Sequence, residues 1–275
     1  MSRILLFDSG VGGLSIYHEL KATLPDCEYH YYADHIAAPY GNKNDTWLDQ
    51  RINLCLKALN QALNPDIIII ACNTASTLSL ESLRSTIKTH IVGVVPAIKT
   101  ASEKSKNSAI GLLATPATIN RSYIDKLIKS YAQSNTVIKV GSTRMVDIAE
   151  QKLSGTHPSP DELRRIISPL TDANCKSIVL GCTHFPLLKT ELQTIAPDIK
   201  WIDSGTAIAK RVKVIIADNN LNTKPQVSTF YSSSNLNTSL IDYITKIGFK
   251  NVIPNHTFEL DPPRNPNPKL APSAP

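Results

Sequence analysis

Two aliphatic runs stand out from the pattern of apolar and polar positions, Ile67-Ile68-Ile69-Ile70-Ala71 and Ile178-Val179-Leu180. Each ends on a cysteine followed by small hydrogen-bonding residues, Cys72-Asn73-Thr74-Ala75-Ser76 and Cys182-Thr183-His184. An unbroken β-branched run of this length predicts a strand buried on both faces of a parallel sheet. Shorter runs predict further strands over 3–7, 28–33, 91–95, 109–114, 137–140, 200–202, 226–231 and 251–253. Between them the period changes to 3.6, most clearly over 45–63, where Leu48, Ile52, Leu56 and Leu59 share one face. Helices are also expected over 15–24, 77–88, 120–130, 144–153, 161–172, 187–195, 207–217 and 236–247. Strands alternating with helices define an α/β class of fold. Asp203-Ser204-Gly205 repeats Asp8-Ser9-Gly10 in kind, and the two cysteine strands match. The expected architecture is therefore two doubly wound α/β domains related by pseudo-twofold symmetry, with the active site in the cleft between them. The first domain spans 1–97 plus 207–253 and the second spans 98–206. Seven of the 18 prolines crowd into 254–275, a tail expected to be disordered or draped over the surface.

In parallel sheets ligands bind beyond the carboxyl ends of the strands. Cys72 and Cys182 fall there, and so does the turn Asp8-Ser9-Gly10-Val11-Gly12-Gly13. That turn fails the dinucleotide fingerprint because Ser15 stands where the third glycine belongs, although Asp34 lies near the place of the ribose acid. No Walker lysine follows. The expectation is a small anion such as a carboxylate at the turn, with Asp8 exposed at the strand end. The loop 34–41 contributes Asp34, His35 and Tyr40 as candidate polar lining.

Charge narrows the partners. The net charge is +6 with a pI near 9.0, but the basic residues are scattered and lack aromatic interleaving, so nucleic-acid binding is not expected. The apolar runs are strand-sized, and a carboxylate at Asp8 comes too early for a secretory signal, so no membrane association and a cytoplasmic location are expected. The five cysteines form no C-x-x-C pair, which indicates neither a disulfide framework nor a zinc ribbon. Cys27, Cys55 and Cys175 read as packing.

A lone cysteine after a buried strand is ordinarily packing, but two of them at ligand-binding strand ends suit proton transfer. Neighbouring charges tune a thiol strongly. Asp8 is placed to serve one thiol, and His184 with a carboxylate such as Glu150 the other. One thiolate and one thiol on opposite faces of a carbon acid invert a stereocentre. A cysteine hydrolase competes, but Cys182 and His184 only two positions apart make a poor dyad. A metal site built from Cys72, Cys182, His184 and Asp8 lacks a familiar ligand spacing. A non-catalytic anion-binding protein is a further possibility.

Five motifs occur in order: Phe7-Asp8-Ser9-Gly10-Val11-Gly12-Gly13-Leu14; Ala33-Asp34 with Pro39-Tyr40-Gly41; Cys72 to Ser76; Gly111-Leu112-Leu113-Ala114-Thr115 with Thr118; and Gly181-Cys182-Thr183-His184-Phe185-Pro186-Leu187-Leu188. Together they resemble the glutamate racemases, the cofactor-independent branch of the aspartate/glutamate racemase superfamily. The resemblance implies that Cys72 deprotonates the D-enantiomer and Cys182 the L-enantiomer. Asp8 would assist the first thiol, and His184 with Glu150 the second. Ser9, Pro39, Tyr40, Gly41, Asn73, Thr74, Thr118 and Thr183, along with Asp8, His184 and the two cysteines, would hold the substrate. It further implies glutamate as substrate, D-glutamate supplied to peptidoglycan, no cofactor or metal, and a homodimer. Aspartate or another amino acid remains an alternative substrate within the superfamily. The segment 141–147 departs most from the pattern, so Asp147 stands as an alternative to Glu150. Activation by a peptidoglycan precursor, tied to an N-terminal extension in some relatives, is not expected here.

Overall fold

A computed structural model describes residues 2–224 and 226–258. Its strands are β1 (Arg3–Asp8), β2 (Glu28–Ala33), β3 (Ile67–Ile70), β4 (His90–Gly93), β5 (Ile110–Ala114), β6 (Val137–Gly141), β7 (Ser177–Leu180), β8 (Lys200–Ile202), β9 (Thr229–Ser232) and β10 (Asn251–Ile253). Among the described residues they form two sheets, ordered β10-β9-β2-β1-β3-β4 and β6-β5-β7-β8. Every pairing is parallel. The chain leaves the first sheet after β4, completes the second, and returns through the helix Gly205–Asp218 to add β9 and β10.

The isoleucine run of β3 is apolar throughout because both faces are covered. Ile67 and Ile69 join a core with Leu14, Tyr31, Val212 and Phe230, while Ile68 and Ile70 join another with Leu48, Ile52, Leu56 and Leu83. Alternate residues of a strand point to opposite faces, so a doubly covered strand has no polar position. β7 repeats this: Ile178 and Leu180 pack with Leu163, Ile167 and Phe185, and Val179 packs with Ile98, Ala101 and Ile124.

β2-β1-β3-β4 and β6-β5-β7-β8 follow one and the same order. In such an order the direction of winding reverses between the first and third strands, which opens a crevice at their carboxyl ends. Asp8 and Cys72 lie there in the first sheet, and Thr115 and Cys182 in the second.

Element boundaries differ from expectation in several places. The helix expected from residue 77 starts at Asn73, directly after Cys72 (Asn73–Thr86). The helix expected over 120–130 is two, Pro116–Ile119 and Ser122–Tyr131, the first opened by Thr115 as cap and Pro116 at its first position. A short helix, Ile98–Lys104, occupies residues for which no element is expected. The strand expected over 226–231 pairs only at Thr229–Ser232. At the start of the proline-rich tail, the Phe258 ring lies 5.2 Å from Tyr231 and the His256 amide donates to the Ser232 carbonyl at 2.8 Å. The rest of that tail, 259–275, lies outside the described residues.

Candidate active site

Asp8, the last residue of β1, is fully buried rather than exposed. One carboxylate oxygen accepts from the Ser9 amide at 2.6 Å and from Ser9 Oγ at 3.2 Å. The other accepts from the Gly13 amide and from the Tyr31 hydroxyl. The donors of the glycine-rich turn are thus aimed at protein carboxylates: Val11 donates in the same way to Glu150 at 3.4 Å. The expected free anion site at this turn is filled by Asp8 and Glu150. Burial drives the Asp8 carboxyl above its ordinary 3.8, against the lowering effect of the His184 charge and of these donors.

Cys72 caps the N-terminus of the helix Asn73–Thr86. Its sulfur lies 3.8 Å from Ser9 Oγ, so Asp8, Ser9 and Cys72 form a chain of hydrogen-bonding groups. Burial, then the Asp8 charge, push the thiol far above 9.0, and the Cys182 sulfur is near enough to add to the effect. The Asn73 side-chain nitrogen is buried with no hydrogen-bond partner. Buried amide donors are seldom left so, because the lost hydration is costly. Next to it Thr74 Oγ1 meets Thr115 Oγ1 and Thr118 Oγ1, each at 3.3 Å, so residues from both sheets close on one another.

Cys182 follows β7 as Cys72 follows β3. His184 Nδ1 lies 3.8 Å from its sulfur, and His184 Nε2 lies 2.8 Å from Glu150 Oε1. Burial opposes a charge on His184, but the hydrogen bonds to Cys182 and Glu150 and the Glu150 charge outweigh it, and the imidazole titrates well above 6.5. Glu150 is lowered in return: burial would raise it, and the bond to His184 wins. Asp147 is exposed on the outer face of the same helix, Arg144–Leu153, so Glu150 alone makes this contact. Thr183 is buried, and its carbonyl accepts from Ser15 Oγ of the first sheet's leading helix at 2.8 Å.

The other candidates divide. Gly41 approaches Thr115 across the cleft, and Pro39 precedes it in the same loop. Tyr40 is buried, and its hydroxyl donates to Asp34 at 2.6 Å, so only its ring and backbone remain for a ligand. Asp34 is not lining: fully buried, it takes two bonds from Arg51, at 2.5 and 2.6 Å. Thr115, Arg51 and Ser15 were not singled out as candidates from sequence. Thr115 follows a buried strand as the cysteines do, a usable signal, whereas Arg51 sits inside a helix pattern that gives none.

The chain matches the Asp/Glu/Hydantoin racemase family over residues 12–212. It belongs to that family and is an isomerase. The glutamate racemase of Histophilus somni (strain 129Pt) is 50% identical over 216 residues, which cover 78% of this chain and 80% of that one. That of Vibrio parahaemolyticus is 46% identical over 228 residues, 82% and 83% of the two chains. Among solved structures, Escherichia coli glutamate racemase in complex with L-glutamate and the activator UDP-MurNAc-ala superposes with a TM-score of 0.85 at 37% identity, covering 92% of this chain and 97% of that one.

Proposed function

We propose that this chain interconverts L- and D-glutamate by a two-base proton transfer without cofactor, and so supplies D-glutamate for peptidoglycan. The observation that carries the reading is the placement of Cys72 and Cys182 after equivalent strands of two like-ordered sheets, each beside its own acid–base partners.

The two thiols differ in the resting enzyme. Cys72, buried beside Asp8, holds its proton. Cys182 faces His184, whose imidazole keeps its charge well above 6.5, and is the base on its side of the cleft. L-Glutamate then loses its α-proton to Cys182 and receives the Cys72 proton on the opposite face. In the other direction Cys72 must first give up its proton, for which the path through Ser9 Oγ to Asp8 is available, and the proton that Cys182 delivers comes from the charged His184. The raised Asp8 carboxyl is the better acceptor for it. Charge building on the substrate carboxylate during either step is met by the unpartnered Asn73 amide and by the helix N-terminus at Cys72. Closure of the two sheets over the cleft excludes water while the carbanion lasts. The reading includes a cytoplasmic location and a homodimer, the second of which light scattering of the purified protein checks.

Incubation with L-glutamate in deuterium oxide, with no added cofactor, is expected to yield D-glutamate carrying deuterium at Cα. Cys72→Ala and Cys182→Ala are each expected to lose at least about 10³-fold in racemisation. Either variant turning over at near-normal rate sinks the two-base reading. Racemisation of aspartate in place of glutamate moves the substrate to its shorter homologue.

A further inference from the structure

His35 opens the short turn after β2, and three observations tie it to Glu150. First, its ring is anchored: Nδ1 lies 2.8 Å from Oγ of Ser232, the fully buried last residue of β9. The next amide, Ile36, donates to Ser233 Oγ at 3.0 Å. Second, the Cδ2 side of its ring lies close to the place where Glu150 and His184 meet. A methyl group built on Gly10 would stand 2.7 Å from Glu150 Oε1, 3.5 Å from His184 Nε2 and 3.6 Å from His35 Cδ2. Cδ2 is bonded to Nε2, the nitrogen that Ser232 leaves uncommitted. Third, His35 and Glu150 act on one another electrostatically, as do His35 and His184.

Glu150 thus answers to two imidazoles. His184 holds it by a direct bond and also faces Cys182 and Asp8. His35 lies near the same carboxylate without a direct bond, with Asp34 next to it in sequence. Tyr31 also senses the Glu150 charge. We propose that His35 is a positioning residue that competes with His184 for the Glu150 carboxylate, and so sets the acidic limit of the Cys182 half-reaction. This rests on the racemase reading above.

Burial disfavours a charge on His35 and holds it below 6.5, although Glu150 acts to raise it. Around neutrality the ring is therefore neutral and leaves the carboxylate to His184. As pH falls the ring gains a proton. Its Nε2–H becomes a cationic donor beside Glu150, and a second positive ring now faces His184. Both effects loosen His184 from the geometry that serves Cys182, while the hydrogen bonds that join Asp8, Ser9 and Cys72 involve neither imidazole.

The test compares the wild-type enzyme with His35→Asn, which keeps a polar group for Ser232 but never gains a charge. Free L- and D-glutamate are equal in energy, so kcat/KM has the same pH profile in both directions. What separates the two thiols is the isotope effect with Cα-deuterated substrate. If the Cys182 step slows in acid, the effect grows for L-glutamate and shrinks for D-glutamate. His35→Asn is expected to move the acid limb down by at least about half a pH unit and to abolish that divergence. Ser232→Ala, which frees the ring, is expected to shift the limb in the wild-type background and to leave it unmoved when added to His35→Asn. An acid limb and isotope effects identical to wild type in His35→Asn overturn the proposal; should that variant not fold, an unmoved limb in Ser232→Ala does so. A wild-type enzyme that turns over no glutamate at any pH refutes the racemase reading instead.

Discussion

Glycine at positions 10 and 12 answers a need for space. A Cβ on Gly12 would strike the His184 ring, and one on Gly10 would meet Glu150. Read from the first strand alone, these glycines suggest a turn shaped for an outside anion. In the folded chain they make room for a histidine and a glutamate from the other sheet's unit. The His184–Glu150 bond has a consequence in pH. His184 has a folded value above its ordinary 6.5, so the stability it contributes is complete below about 6.5 and is lost as pH rises through the folded value. Glu150 has a folded value below its ordinary 4.5, so its contribution is present above about 4.5 and is lost as pH falls through the folded value. Glu150→Gln removes the carboxylate and leaves burial to act on His184. The alkaline limb of the kcat/KM profile is then expected to move toward neutrality, equally with L- and D-glutamate. A limb unmoved in a pH–rate measurement would detach Glu150 from His184 function.

Among the elements, the loop after β2 shows how far pattern reading reaches. Its position at the carboxyl end of the sheet follows from the strand before it. Its inner structure does not, because Asp34 and Tyr40 are polar residues that look like lining and instead bind each other and Arg51. Arg51 lies 17 residues on, in the helix Asp45–Leu63, on the face that packs against the sheet. Arg51→Leu would leave a buried carboxylate without its cation. The expected loss is about 3–5 kcal/mol of stability, read as a fall in midpoint by calorimetry or urea titration. The helix that starts at Asn73 carries a similar lesson. Small polar residues after Cys72 look like a loop, yet they are the first turn of a helix whose end gathers free amides at the thiol.

For the whole molecule, the question is what holds the two sheets' units against each other. Arg121 makes two bonds to Asp45, at 2.6 and 2.8 Å, between the helix Ser122–Tyr131 and the helix Asp45–Leu63. The pair lies near the contact of Thr74 with Thr115 and Thr118. Asp45 is 59% exposed, so the pair is worth little to folding, and its expected effect is on closure. Arg121→Ala and Asp45→Ala are each expected to raise KM about two- to fivefold with kcat hardly changed, the double variant adding nothing further. Additive losses in steady-state kinetics would show that the two residues act apart.

Local chemistry along the chain was enough to determine the ten strands of the described residues, most of the helices that cover them and the placement of Asp8, Cys72 and Cys182 at carboxyl ends of strands. Strand burial and strand ends depend on neighbouring residues, and those are written in order. The choice of Glu150 over Asp147, the filling of the glycine turn by protein carboxylates, the Arg51 clamp and the approach of His35 were decided only by the tertiary structure. Each joins residues that are far apart in the chain or brings together side chains from different elements. A hydrogen bond is won by whichever group ends within about 3 Å, and spacing along a chain does not carry that distance.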